Sequence, residues 1–317
     1  MSSTPINTKP ERHNTPKWRV GIDLGGTKIA GIVLAPDGTT ITEHRIATPQ
    51  GNYLETCRAI SGLITHLRSV GTSSAQKASV GIGIPGSISP TTGRVQNANS
   101  TVLNGQDLQA DIQNLLGQPV RLANDANCFA LSEATDGAAA DKNVVFGVIA
   151  GTGLGGGVVI DGKVLVGPRA TGGEWGHNPL PWQTAQEAPG PRCWCDRNGC
   201  LETWLSGPGL SKDHERQTGD VMTAQEIEAA AMEGNAPAQA SLLRHVDRFA
   251  RGLAHVANIL DPDVIVLGGG LSRMRHLYRD LPKRIAPHLF ADTTQINIVP
   301  PRWGDASGVR GAAWLWS

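Results

Sequence analysis

From Trp18 onward the apolar positions fall into short blocks separated by glycine- and aspartate-bearing turns. WRVGIDL and IAGIVLA are strand-length runs on either side of a GGTK turn, and Pro36-Asp37-Gly38 separates the second run from TTITEHRIA. Leu54, Cys57, Ile60, Ile64 and Leu67 then recur at helical spacing. ASVGIGIPG reads as a short buried strand, and Leu108, Ile112, Leu115 and Leu116 mark a helix that Gly117 terminates. VRLAND is a further strand and 126–140 a further helix, giving the order βββαβαβα. NVVFGVIAGTGLGGGVVIDGKVLV begins that order again, with Asp161-Gly162 in the place of Asp37-Gly38. Helices are predicted over 225–232 and 240–260. VIVLGGG is a strand, 271–289 a helix broken at Pro282 and Pro287, INIVP a last strand and 308–316 a closing helix. Two copies of one mixed α/β unit predict two facing domains with a cleft between them.

Composition narrows the classes. The 317 residues carry 28 basic and 28 acidic side chains, so no electrostatic footprint for nucleic acid or anionic lipid is present. No apolar run approaches the roughly 20 residues of a membrane helix. Residues 1–17 are polar, contain no secretory core, and read as a disordered arm ahead of a cytoplasmic protein.

Four residues stand out as metal ligands. Cys193, Cys195 and Cys200 lie within eight positions, and His177 precedes Cys193 by sixteen. Thiolate and imidazole suit Zn²⁺, and a Cys₃His set closes a tetrahedral shell, which makes such a site structural. The competing reading is one disulfide with a spare thiol, disfavoured because nothing suggests export to an oxidising compartment. Cys57 and Cys128 lie in apolar helical patterns and read as small buried hydrophobes.

Three glycine clusters follow strands. In Asp23-Leu-Gly-Gly-Thr-Lys28, Gly25 and Gly26 permit a tight turn whose N–H groups face phosphate oxygens. Thr27 and Lys28 supply further donors, and Asp23 would hold Mg²⁺ through water. An ordinary glycine hairpin is the alternative. Gly151, Thr152, Gly153, Gly155 and Gly156 occupy the matching place in the second copy, so the two loops together form jaws for a nucleotide's phosphates. Gly268, Gly269 and Gly270 end a strand and open a helix, leaving room for adenine or ribose. Asp125 ends strand VRLAND beside Asn124. It is either a helix N-cap or the base that accepts a proton from an attacking hydroxyl, with Asn124 bonding the substrate. Glu174 and Glu202 flank the metal ligands and suit vicinal sugar hydroxyls, and His177 has a second ring nitrogen for the same purpose. Asn97, Asn99 and Asn104 are further hydrogen-bonding candidates or a solvated turn.

The repeat with its strand-end glycines resembles the actin-like ATPase (ribonuclease H-like) fold, in which the last helix crosses back to the first domain. DLGGTK, GIGIPG, LANDAN, GTGLGGG, GEWGH, the CxCx₄C cluster and LGGG together resemble the ROK family of bacterial sugar kinases and repressors, from Val20 to Trp316. The resemblance implies Zn²⁺ on His177, Cys193, Cys195 and Cys200, a base at Asp125, and sugar contacts from Asn124, Glu174, His177 and Glu202, to which Asn99 is added as an expected substrate contact from the Asn-rich stretch. It also implies ATP and Mg²⁺ as cofactors, a hexose substrate and a homodimer. A small domain of 18–134 plus 304–317 and a large one of 135–303 are expected. GIPGSISPTTG, NPLPW after GEWGH and the ending SGVRGAAWLW look most like the fructokinase/mannokinase group, so fructose is the expected substrate and mannose a slower one. A stiff wall of Pro179, Pro181 and Trp182 after His177 would leave no room for an acetamido group. Kinases for N-acetylglucosamine or N-acetylmannosamine are the alternative. A sugar-responsive regulator without turnover is the rival from another class, against which stand the retained Asp125 and the absence of a helix-turn-helix ahead of Trp18.

Overall fold

The computed structural model describes residues 17–71 and 73–316, so the arm expected over 1–17 lies outside it except for Lys17. The first half runs β1 (Arg19–Leu24), β2 (Lys28–Leu34), β3 (Thr40–Ala47), α1 (Tyr53–Val70) and β4 (Ser79–Ile84). A small hairpin of β5 (Ser87–Ile88) and β6 (Val95–Gln96), then α2 (Leu108–Leu116), β7 (Val120–Asn124) and α3 (Asp125–Thr135) complete it. Its sheet has the order β3-β2-β1-β4-β7, antiparallel through the hairpins and parallel from β1 to β7.

The second half runs β8 (Val144–Ala150), β9 (Leu154–Ile160) and β10 (Lys163–Val164), then an insertion over 165–201. It continues with α4 (Glu202–Leu205), α5 (Gly207–Thr218), α6 (Ala224–Met232), α7 (Ala236–Leu260), β11 (Val264–Gly268), α8 (Arg275–Ile285), β12 (Ile298–Val299) and α9 (Ser307–Trp314). Its sheet order, β10-β9-β8-β11-β12, repeats the first strand for strand and direction for direction. This duplicated topology is the actin-like ATPase fold. In both sheets the parallel strands end on the same side, which is where open α/β sheets bind ligands.

Local chemistry moves some boundaries. α7 starts at Ala236 because Asn235 caps the Ala238 N–H and a proline occupies the first turn. α5, too polar to signal by periodicity, starts where Ser206 caps the Gly209 N–H, again with a proline in its first turn. The helix expected over 271–289 divides into a 3₁₀ turn at Gly270–Arg273, α8 with Pro282 inside it, and a second 3₁₀ turn at Ala286–His288. α3 stops at Thr135, because the buried carboxylate of Glu133 accepts the Ala138 N–H at 2.8 Å and folds the chain back.

The two halves are joined by exchanged helices. α9 lies on the first sheet, over Gly21 of β1 and Gly81 of β4, where any Cβ would fall inside the carbonyls of Val309 and Ala312. α3 lies on the second sheet in the same manner, over Gly147 of β8 and Gly157 of β9. The two helices cross at Gly311, whose Cα rests on the carbonyl of Cys128. Around this crossing a core of Ile32 and Leu34 from β2, Phe129 and Leu131 from α3, and Val264, Val266, Val309 and Ala313 runs without a break from one sheet to the other. Ser307 Oγ donates to Glu133 Oε1 at 2.7 Å and locks the start of α9 to the end of α3.

Gly311→Ala has no accommodating neighbour, since the obstacle is backbone, so the helices must separate. Overpacking of this kind costs about 1–3 kcal/mol, and thermal unfolding should show a Tm several degrees lower. Gly62→Ala in α1, whose Cβ meets open space, should leave Tm unchanged or higher. Equal Tm values for the two variants would show that the crossing is not tight.

Candidate active site

Every glycine cluster and carboxylate singled out by sequence sits at or beside the ligand-facing ends of the parallel strands. The first turn, between β1 and β2, is held from behind. The Gly25 N–H donates to the Lys28 carbonyl at 3.0 Å, Thr48 Oγ1 donates to the Gly25 carbonyl at 2.7 Å, and Gln50 Nε2 donates to the Gly26 carbonyl at 2.9 Å. Thr48 and Gln50 thus fix the peptide planes of this turn, a role with no motif to announce it. Thr27 and Lys28 are exposed on its outer side. Gly26 lies 3.8 Å from Ser100 Oγ, measured from a constructed Cβ, which brings exposed Asn99 to the same edge of the cleft. Asn104, by contrast, spends its side chain on Ala98, accepting its N–H at 2.8 Å and donating to its carbonyl at 3.0 Å. Asn97 has a positive φ of 57° and serves as a turn residue.

In the second half the equivalent turn comprises Gly151, Thr152 and Gly153, between β8 and β9. Gly155 and Gly156 lie inside β9, paired with Ile149 and Val148. Packing explains their lack of side chains, because Gly155 abuts the Ala126 methyl and Gly156 abuts Trp175. Gly151 and Gly270 approach closely, whereas Gly268 lies against the Phe129 ring and Gly269 takes a φ of 77° over the Ala150 carbonyl. Gly270 faces open space. The helix expected to begin there is only a four-residue 3₁₀ turn, so this cluster offers room and lacks an α-helix dipole.

Asp125 and Asn124 divide the duties that sequence left undecided. Asn124 is the N-cap of α3. Its Oδ1 accepts the Ala126 N–H at 2.9 Å while its Nδ2 donates to the Gly86 carbonyl at 3.2 Å. Asp125 is the first helical residue, and its Oδ1 shares the Ala126 N–H at 2.8 Å. The helix therefore does not need Asp125 as a cap. Its pKa is pushed up to about 6, first by burial, then by the negative charge of Asp23 and more weakly by Glu174, against the opposing Ala126 N–H. Burial also raises Asp23, with Lys28 opposing. Glu174 is accessible at the rim, yet enough protein surrounds its carboxyl to raise it. Glu202 adds to that rise and His177 opposes it.

The four predicted metal ligands converge. His177 Nδ1 lies 3.6 Å from Cys193 Sγ, Cys195 Sγ lies 3.6 Å from Cys200 Sγ, and all four ligand atoms fall within 4.8 Å of one another. A tetrahedron with Zn–S and Zn–N bonds of usual length has edges of about 3.4–3.8 Å, so the donor set has the size and composition for one such ion. All three cysteines are free thiols. Nδ1 is the ring nitrogen of His177 that faces the Cys193 thiol, which leaves Nε2 directed elsewhere. The rest of the insertion is tied to α7. Glu187 accepts from Arg248 Nε at 2.8 Å and from Arg251 Nη2 at 2.7 Å and Nη1 at 2.9 Å. Burial alone would raise the Glu187 carboxyl, but the two guanidiniums hold it down at about 2.

Glu202 carries more than the sugar contact expected of it. Its Oε2 accepts the Leu154 N–H at 3.0 Å and its Oε1 accepts the Trp194 indole N–H at 2.8 Å, so it bridges the second glycine turn and the cysteine loop. Trp194 was not among the expected site residues, because a tryptophan between two cysteines matches no ligand or acid–base pattern.

The wall expected from NPLPW is built elsewhere. Arg251 Nη1 binds the carbonyls of Pro181 and Trp182 at 3.1 and 3.0 Å, and Trp182 stacks on His288 at 5.1 Å. The segment thus leads from His177 to α7, and the argument against an acetamido group loses its basis. Comparison with known proteins corrects the fructose expectation as well. N-acetyl-D-glucosamine kinases of several bacteria match most of the chain. That of Yersinia enterocolitica is 39% identical over 93% of this chain and 98% of its own length. These relatives take the place of the fructokinase/mannokinase group. Among solved structures, the ROK hexokinase of Thermus thermophilus superposes with a TM-score of 0.82 at 29% identity, covering 93% of this chain and 96% of its own. The ROK family glucokinase of Streptomyces griseus, solved with glucose and AMPPNP, gives 0.76 at 26% identity, covering 94% and 98%. The ROK family profile spans residues 19–317, and with strands, loops and ligand cluster in agreement, the chain belongs to the ROK family.

Proposed function

We propose that the protein is an ATP-dependent N-acetylhexosamine kinase that transfers a phosphoryl group to the 6-hydroxyl of N-acetyl-D-glucosamine. The observation that carries the reading is Asp125, a carboxylate relieved of capping by Asn124 and raised to about 6 on the floor of the cleft. A base tuned to that range is deprotonated at neutral pH yet basic enough to take a hydroxyl proton. The N-acetyl-D-glucosamine kinase activity of the relatives supports the choice of sugar, and the glucokinase solved with AMPPNP supports ATP as donor.

In this reading the hexose hydroxyls meet Glu174, Glu202, His177 through Nε2, and the remaining amide hydrogen of Asn124, with Asn99 at the edge. Asp125 takes the proton of the 6-hydroxyl as the hydroxyl oxygen attacks the γ-phosphorus, and the bond from that phosphorus to the β–γ bridging oxygen breaks so that ADP leaves. The turns at Gly25–Lys28 and Gly151–Gly153 hold the phosphates with backbone N–H groups. The open space at Gly270 receives the nucleoside. Asp23, half-buried beside Asp125, would hold Mg²⁺, which supplies charge neutralisation for the polyphosphate. His177, Cys193, Cys195 and Cys200 would hold Zn²⁺ as a closed structural ion that fixes Glu174 and Glu202. Closure of the two halves about the α3–α9 crossing would exclude water as a competing acceptor.

An ADP-release assay against N-acetylglucosamine, N-acetylmannosamine, glucose and fructose tests the activity, and N-acetylglucosamine should give the highest kcat/KM. Glucose or fructose exceeding it tenfold would overturn the substrate assignment. Asp125→Asn should lower turnover by roughly 10²–10⁴-fold, while Tm stays level or rises. A carboxyl whose folded pKa lies above its unfolded value destabilises the fold progressively as pH rises from the unfolded pKa through the folded one, so the full penalty is present at pH 7 and removing the charge relieves it. In the wild type, kcat/KM should fall as pH drops through about 6, where Asp125 gains its proton. A drop in Tm with unchanged turnover would return Asp125 to a structural role. Metal analysis should find about one zinc per chain, and Cys195→Ser should lose both the metal and the activity. A zinc-free, fully active Cys195→Ser protein would remove the metal from the account.

A further inference from the structure

Trp194 is held at both neighbours by Cys193 and Cys195, so its backbone is placed by the metal cluster, yet its side chain is 62% exposed. An exposed indole of that size is ordinarily free to choose among rotamers. Two contacts select one. Its N–H donates to Glu202 Oε1 at 2.8 Å, and its ring meets the His177 ring edge-on, with centroids 4.9 Å apart at 84°. The other Glu202 oxygen is occupied by the Leu154 N–H, and a side chain on Gly153 would collide with it at 2.8 Å. A carboxylate offers about four lone-pair sites, so two remain for substrate after both protein donors are satisfied. Which way those two point is set by the plane of the carboxylate. Leu154 fixes one oxygen and Trp194 the other.

We propose that Trp194 is a positioning residue for hexose binding. By donating its indole N–H to Glu202 from between two metal-site cysteines, it fixes the one carboxylate that joins the sugar side of the cleft to the phosphate turn at Gly153–Leu154. The proposal rests on the reading of Glu202 as a hexose contact. Without that donor Glu202 keeps its Leu154 bond but rotates about it, and the hexose must order the carboxylate on arrival. Such a cost enters hexose affinity in the ground state and transition state alike, so it raises KM and leaves kcat nearly unchanged.

The test is steady-state kinetics and calorimetric hexose binding on the full chain, comparing wild type with Trp194→Phe, which keeps a ring against His177 and lacks the N–H. Hexose KM and Kd should rise about tenfold, the loss expected for a charge-assisted hydrogen bond with partial exposure. ATP KM, kcat and metal content should hold within about twofold. On a Glu202→Gln background Trp194→Phe should add nothing, since its effect passes through Glu202. Unchanged hexose affinity in Trp194→Phe, or an additive effect on Glu202→Gln, overturns the proposal. Loss of metal or of ATP affinity in Trp194→Phe would make Trp194 a packing residue and overturn it equally. A wild type that binds hexose but does not phosphorylate it would remove the assigned activity and leave this inference standing, because the calorimetric arm is independent of turnover.

Discussion

The contact on which the rest depends is the crossing of α3 and α9, where Gly311 rests on the carbonyl of Cys128. Each helix lies on the other half's sheet with backbone-to-backbone contact at paired glycines, so the sheets cannot move apart without breaking a shared core. The same crossing delivers both helix N-termini to the cleft floor. Asp125 opens α3, and Asp23 lies against Gly308 in the first turn of α9, with a constructed Cβ 3.3 Å from its Oδ2. Helix N-termini favour carboxylates, but typically by about 0.3–1 kcal/mol. The rise of Asp125 from 3.8 to about 6 corresponds to about 3 kcal/mol the other way. Burial and the neighbouring Asp23 charge therefore win, and the carboxyl at the start of α3 is raised where a helix N-terminus alone would lower it.

The insertion over 165–201 is held by two different kinds of chemistry at two places. One is the set of three thiols and an imidazole, which gathers His177 with residues 193–200. The other is the buried carboxylate of Glu187 within the insertion, paired with the buried Arg248 and Arg251 of α7, where Arg248 and Arg244 also engage Asp213 at 2.8 Å. Buried ion pairs contribute little net stability after desolvation, but breaking one partner away is costly, so they orient more than they stabilise. Glu174 and Glu202 flank the first of these anchors, just before His177 and just after Cys200. A flexible loop would have to order two mutually repelling carboxylates each time a ligand arrived. Here their positions are set beforehand, and Glu202 in particular is committed to both the cysteine loop and the glycine turn.

Much of this was legible in the sequence because the signals were periodic or chemically exclusive. The strand and turn alternation repeats with Asp-Gly at the same place in each half, and a Cys₃His spacing has few uses. What was hidden depended on partners distant in sequence. Asn124 and Asp125 are adjacent residues with equal capping propensity, and which one caps is decided by the extended backbone at Asn124 and by the Gly86 carbonyl that holds its amide. Gly155 and Gly156 look like phosphate-loop glycines, yet their neighbours Ala126 and Trp175 come from a helix and an insertion that local pattern does not bring near. Thr48 and Gln50 buttress the first turn from the end of β3, where nothing local marks them. α5 has no apolar stripe, and only its capping serine and proline announce it.

Substrate preference was the least legible property, for a reason the structure makes concrete. A stretch such as NPLPW has stiffness written in it but no direction. Its direction comes from Arg251, a residue seventy positions away whose guanidinium binds two of its carbonyls and draws the tryptophan to His288. Discrimination between a hydroxyl and an acetamido group depends on whether a pocket offers both volume and partners for one N–H and one C=O, since leaving either buried and unpaired costs about 1–3 kcal/mol. Those terms are set by side chains that several loops bring together, each aimed by its own remote anchor. The residues that perform the transfer are fixed by the fold that every half-repeat encodes, whereas the residues that choose the sugar are aimed by contacts the repeat does not contain.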